Sequence, residues 1–152
     1  MRREESKRDP SPLAYRVLPQ PEEFFDSWLD RLVSRHDTTR TGLFEFLGLE
    51  PGLARHDLGG GQEVSGRAEA GAAIDRLAWA VQCEVSVAQA TLIPASGACL
   101  LPLRGRHYGC PQCWLEFYLA GKPLVILREW ALRQSWLCRK HEALLVDLRN
   151  VP

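Results

Sequence analysis

Two pairs of metal-ligating residue types stand toward the C-terminal end of this chain, Cys110-Pro111-Gln112-Cys113 and Cys138-Arg139-Lys140-His141, separated by residues 114–137. Two residues between ligands is the spacing at which one tight turn lets both side chains face the same ion. Together the pairs supply three thiolates and one imidazole, a set that suits a single zinc ion and fills its tetrahedron. A filled tetrahedron keeps no position for water or substrate, so the implied chemistry is structural rather than catalytic. His107 is close enough in sequence to compete as a ligand, but His141 sits at the paired spacing. The competing reading is a redox Cys-x-x-Cys. That motif opens a helix after a strand in a βαβ pattern, and no such pattern is read here. Cys83 and Cys99 remain as reduced thiols outside the site.

Further chemistry is hard to assemble from the remaining residues. The four histidines are scattered, and Gly59-Gly60-Gly61 lacks the strand before it and the Lys-Ser/Thr after it that a phosphate loop needs. Asp26 and Asp30 lie one helical turn apart and read as a solvated acidic face. The expectation is a protein that is not an enzyme.

The elements that must carry the ligands follow from periodicity and breakers. Residues 1–16 are charged, contain Pro10 and Pro12, and read as a flexible arm. Phe24, Phe25, Trp28, Leu29, Leu32 and Val33 then recur at helical spacing, which predicts an amphipathic helix from Pro21 to about His36. Pro21 in its first turn and Glu22 and Glu23 behind it suit the positive helix end. Thr41 reads as the N-cap of a short helix through Leu47, ended by Gly48. After the glycine run a third helix starts near Ser65 and carries Ala72, Ala73, Leu77, Ala78 and Val81. Ser86 with Gln89 reads as a capping box for a fourth through about Leu92. Helix, short break, short helix is the outline of a helix-turn-helix, although its outward positions Val87, Gln89 and Thr91 include no cation. Leu124 to Leu127 read as a short strand.

Composition bounds the class. The chain is 45% apolar, enough for a real core, and carries 19 basic against 19 acidic residues, so no overall field draws it to nucleic acid. No apolar run is long enough to span a bilayer, and the N-terminus lacks a signal-peptide pattern, so a cytoplasmic location is expected. Charge is uneven, with the excess of acid in residues 17–100 and the excess of base in residues 101–152. Any phosphate contact is therefore expected from Arg104, Arg106, Arg128, Arg133, Arg139 and Lys140, each of which also reads as ordinary surface charge. Among the five tryptophans, Trp28 and Trp130 are expected in the core, and Trp114 and Trp136 are the candidate partner anchors.

Taken in order, these residues resemble the TniQ family of transposition target-selection proteins. The resemblance runs from about Leu18 to Leu148 and rests on the proline-rich lead into Asp26-Ser27-Trp28-Leu29, on Cys110-Pro111-Gln112-Cys113, on Trp130, on Cys138-Arg139-Lys140-His141, and on the apolar Leu144-Leu145 after it. Three positions depart from the family pattern. Phe24 stands for its first serine, Gly109 separates Tyr108 from the first cysteine, and Glu142 follows the histidine where glycine is usual. The DNA-reading domains of the long relatives called TnsD are not matched by any part of the sequence. The resemblance implies an adaptor that joins a target-recognition complex, such as an RNA-guided CRISPR effector, to a TnsC-like AAA+ ATPase. DNA would be touched directly only weakly, and homodimer formation is left open.

The fold expected is mainly α. A helical domain over residues 17–95, with the helix-turn-helix outline, precedes a small zinc-ribbon-like module over 100–150 holding one structural Zn2+. The alternative reading is a zinc-containing DNA-binding regulator that uses the helix pair as its reader.

Overall fold

The computed structural model describes residues 11–60, 67–93, 100–102 and 105–150. Among these, five α-helices dominate: α1 Phe25–Arg35, α2 Arg40–Phe46, α3 Arg67–Ala80, α4 Val85–Gln89 and α5 Pro111–Leu119. Two-residue strands β1 Tyr108–Gly109 and β2 Val146–Asp147 form a small antiparallel sheet, with Tyr108 opposite Asp147 and Gly109 opposite Val146. Short 3-10 turns cover Pro51–Arg55, Leu58–Gly60, Arg128–Ala131 and Leu148–Asn150. The chain is mainly helical, as its periodicity predicts. No helix among the described residues is long and apolar enough to cross a membrane.

The helical core forms where the stripe on α1 meets α2, α3 and α4. Phe25, Trp28, Leu29 and Leu32 are buried at the i, i+3, i+4, i+7 spacing and pack with Leu43, Phe44, Ile74, Leu77 and Val81. Trp28 is fully buried, and its indole N–H donates to the Val17 carbonyl at 2.8 Å, so the large ring enters the core without an orphaned donor. Trp79 instead lies at the surface of α3 with the Arg76 guanidinium over its ring.

Several boundaries differ from the sequence expectation. α1 begins at Phe25 rather than Pro21, because Pro21 and Glu22 form a turn, with Glu22 at φ 61°, and Phe24 is extended where Glu23 and Phe24 run against the segment before the Arg128–Ala131 turn. The Phe24 N–H donates to the Ile126 carbonyl at 2.8 Å, the Arg128 N–H donates to the Glu22 carbonyl at 2.9 Å, and Glu23 bridges Leu127. The strand expected at 124–127 reduces to that single bridge. Glu23 is buried rather than placed at a helix end. Its carboxylate accepts from Arg31 at 2.8 and 2.6 Å, from Ser27 at 3.0 Å and from the Gln20 N–H at 2.8 Å, so its desolvated oxygens are paired.

The cap of α2 is Thr39, whose hydroxyl accepts from the Gly42 N–H at 3.0 Å, and Thr41 lies inside the helix. α4 opens after Glu84 with no side-chain cap, and Ser86 lies within it. Thr91 is buried rather than outward, its hydroxyl donating to the Ala88 carbonyl at 2.7 Å. Residues 11–16 do not hang free. The Leu13 N–H donates to the Ala80 carbonyl, and Arg16 donates to the carbonyls of Val81 and Gln82 at 3.1 and 2.6 Å, pinning this stretch to the end of α3.

A second core packs Trp130 and Leu148 against Cys110, Cys113 and Cys138. It is joined to the helices by the 22–24 seam, by the Leu101 N–H bonded to the Ala131 carbonyl, and by the Ile126 N–H bonded to the Ser27 hydroxyl at 3.0 Å. A Cβ at Gly109 would lie 2.7 Å from two ring carbons of Trp130. The glycine before the first cysteine is thus what lets β1 pass over that ring.

Candidate metal centre

Cys110 is the N-cap residue of α5 and Cys113 lies in its first turn, with Pro111 at the helical position where a missing N–H costs nothing. The first ligand pair therefore does open a helix after a short strand. The sheet is antiparallel, so the βαβ pattern of a redox pair is not formed among the described residues, and the second pair closes over the first. The second pair sits in a loop where Leu137 bridges Leu144. The Cys138 N–H donates to the Ala143 carbonyl, and the Glu142 N–H donates back to the Cys138 carbonyl, both at 2.8 Å. Glu142 takes φ 50°, left-handed backbone that costs a non-glycine residue about 1 kcal/mol.

These two turns bring the Sγ atoms of Cys110, Cys113 and Cys138 and a ring nitrogen of His141 within 4.8 Å of one another. His141 Nδ1 lies 3.4 Å from Cys110 Sγ, 3.4 Å from Cys113 Sγ and 3.7 Å from Cys138 Sγ, and the Sγ atoms of Cys113 and Cys138 are 3.7 Å apart. Around a tetrahedral ion with metal–sulfur bonds of about 2.3 Å and metal–nitrogen bonds of about 2.0 Å, the S···S edge is about 3.8 Å and the S···N edge about 3.5 Å. The three S···N separations and the Cys113–Cys138 S···S separation lie within about 0.2 Å of those edges, and the three cysteines are buried. The cluster could bind one metal ion.

The electrostatics of the centre set two thiols apart. Burial opposes the Cys138 thiolate, yet hydrogen bonds from the His141 backbone and ring and from the Lys140 backbone outweigh it and bring the thiol down to about 7. Burial pushes the Cys113 thiol well up, reinforced by the neighbouring Cys138 and Cys110. His141 is raised by its hydrogen bond to Glu116 and then by Cys138, and Glu116 is lowered by Lys140 and His141. Two like-charged thiolates this close resist ionising together, and a cation between them removes that resistance.

Glu116 is the residue the sequence reading missed. It lies on α5 one turn beyond Cys113, with Oε1 2.9 Å from His141 Nε2 and Oε2 on the Lys140 ammonium. The signal was present in the Pro111 helix start, which places residues three apart on one face.

The remaining candidates are dispersed. His107 is not in the cluster and accepts the Leu148 N–H on its carbonyl. Arg106 is buried and bonded to Asp57 and Asp26, so it is not a free phosphate contact, and Asp26 is correspondingly not part of a solvated acidic face. Arg128 pairs with Glu22 at 2.8 Å, and Arg133 donates to the Leu100 carbonyl at 2.7 Å. Lys140 is held by Glu116. Arg139 is 87% exposed and 3.8 Å from Glu129, leaving its charge to solvent. Arg104 and Cys99 lie outside the described residues. Cys83 is half-buried beside the helical core. Trp114 is packed inward with its N–H on the Val125 carbonyl at 2.8 Å, while Trp136 is 65% exposed.

The cluster lies beside an unusual surface. Leu115, Tyr118 and Leu119 occupy the outer face of α5 and are 57%, 72% and 74% exposed. No family model matches this chain, and no curated protein is similar to it.

Proposed function

We propose that this chain is a non-enzymatic adaptor of the TniQ type, held together at its C-terminal end by one structural zinc ion. Three thiolates and an imidazole in a closed tetrahedral arrangement favour zinc over the harder divalent cations, which take oxygen ligands. Binding energy at such a site is folding energy, because the unfolded chain has no preformed cage. Its role is to lock α5 and the second ligand loop into one surface.

The observation that carries the adaptor reading is the apolar outer face of α5. Leu115, Tyr118 and Leu119 recur at i, i+3 and i+4 on a helix whose opposite face carries the metal ligands, so a rigid apolar stripe points at solvent. A stripe of this kind suits a protein partner rather than nucleic acid. Exposed Trp136 adds a second anchor of the type that dominates binding energy. The cations nominated for phosphate contact favour the same reading, since Arg106, Arg128 and Lys140 already have carboxylate partners. Pairing of these three cations lowers the number of counterions they would release on phosphate, which suits weak, salt-sensitive DNA binding.

The partners proposed are a TnsC-like AAA+ ATPase on one side and a target-recognition complex on the other. Recruitment raises the effective concentration of the transposition machinery at the chosen site. The test is binding of the purified chain to a nucleotide-loaded TnsC-like ATPase and, separately, to duplex DNA at physiological salt. The adaptor reading expects ATPase binding that Leu119→Asp or Trp136→Ala weakens by tenfold or more (about 1.4 kcal/mol). Tight, sequence-selective binding to naked DNA would instead favour a zinc-containing regulator reading through α3 and α4.

A further inference from the structure

We infer that Glu116 is the positioning residue of the metal centre, selecting the His141 tautomer and directing Nδ1, rather than Nε2, at the ion. This rests on the reading that the four clustered residues hold zinc. The spacing of Cys138 and His141 alone does not decide which ring nitrogen binds. The geometry does. His141 turns Nδ1 toward all three sulfurs, at 3.4 to 3.7 Å, and turns Nε2 away to Glu116 Oε1 at 2.9 Å.

An ionised carboxylate only accepts, so the proton of a neutral ring facing it must sit on Nε2. That leaves the Nδ1 lone pair free for the metal, because the hydrogen bond of one ring nitrogen sets the role of the other. The carboxylate is itself fixed. It projects from α5 one turn after Cys113, and its second oxygen accepts from Lys140, the residue beside His141. One side chain thus ties the helix that carries the first ligand pair to the loop that carries the second. Carboxylate–histidine–metal arrangements of this kind hold ring orientation and ligand basicity, and their loss weakens metal binding by about 10- to 100-fold.

The test pairs zinc affinity, measured by competition with a chromogenic chelator, with long-range 1H–15N spectra of the imidazole rings in the zinc-loaded protein. Glu116→Ala should bind zinc about 10- to 100-fold more weakly than wild type. Glu116→Gln keeps an accepting oxygen and should fall between the two. Lys140→Ala leaves Oε1 on His141 and should lose less than Glu116→Ala. In the wild-type spectrum His141 should carry its proton on Nε2 and its metal on Nδ1. That spectrum needs no variant, so the inference stays testable even if Glu116→Ala folds poorly. Wild-type zinc affinity in Glu116→Ala, or a wild-type His141 metallated on Nε2, would overturn the assignment. A wild-type protein that takes up no zinc would overturn the reading of the centre itself.

Discussion

Arg106 and Asp57 form a two-pronged ion pair, with Nη1 donating to Oδ1 at 2.7 Å and Nη2 donating to Oδ2 at 2.5 Å. The same guanidinium reaches Asp26 Oδ2 on α1 at 3.1 Å, its Nε donates to the Leu101 carbonyl at 2.7 Å, and it lies over the Phe24 ring. One buried cation therefore joins α1, the loop before the Leu58–Gly60 turn and the chain leading to the metal centre.

Removing that cation should be costly. Arg106→Ala leaves two carboxylates in a poorly solvated place, and breaking a buried pair costs about 3 to 5 kcal/mol. Asp26→Ala should cost less, since Asp57 still neutralises Arg106. Arg139→Ala, at a fully solvated side chain, should stay within about 0.5 kcal/mol. Urea denaturation of the three variants checks the order, and a silent Arg106→Ala would mean that the joint contributes no stability.

Glycine substitutions probe packing around Trp130 and discriminate it from general backbone effects. Gly109→Ala places a methyl group against a ring that cannot retreat and should cost about 1 to 3 kcal/mol. Gly71, on α3, has open space around the position of a Cβ. Gly71→Ala should therefore stabilise by about 0.5 to 1 kcal/mol through helix propensity. A Gly109→Ala variant that melts at or above the wild-type temperature would contradict the packing described for β1.

The pH dependence of metal binding has a definite sign. The loaded centre needs three thiolates and a neutral imidazole, so protons compete with the metal. Glu116 lifts His141 above its ordinary value in the metal-free protein, and burial lifts Cys113. Those groups hold their protons to higher pH than free side chains do. Affinity is therefore lost as pH falls through their raised values, by roughly tenfold per pH unit for each proton displaced. Chelator competition between pH 6 and 8 should show affinity rising steeply with pH, and a flat profile would contradict this linkage.

Seams between the two cores predict how far metal loss spreads. The Phe24 and Arg128 amides bond across the joint, whereas those of Leu29 and Leu32 lie within α1. Chelation should strip hydrogen-exchange protection from Phe24 and Arg128 first and leave Leu29 and Leu32 protected. Unchanged protection at Phe24 in metal-free protein would mean that the joint does not depend on the centre.

How legible these features were depends on how local their causes are. The four ligands could be read because each pair is set by one turn, and the α1 stripe because Trp28, Leu29 and Leu32 repeat at the helical period. α5 was passed over because Leu115, Tyr118 and Leu119 make its outer face as apolar as its inner one, erasing the contrast that marks a surface helix. Arg106 was assigned to solvent because its partners, Asp57 and Asp26, are distant in sequence and only tertiary structure brings them together. The start of α1 was misjudged for the same reason. Residues 22–24 have helical neighbours, but the Glu22 carbonyl and the Phe24 N–H bond to Arg128 and Ile126.

Metal content tests the central claim most directly. Protein purified without chelators should contain one zinc per chain, and Cys138→Ser should lose the metal together with the protection of the C-terminal core while retaining the α-helical signal of α1 to α3. Elemental analysis that finds no zinc in the wild-type protein, or Cys138→Ser that folds and binds metal as wild type does, would contradict the account.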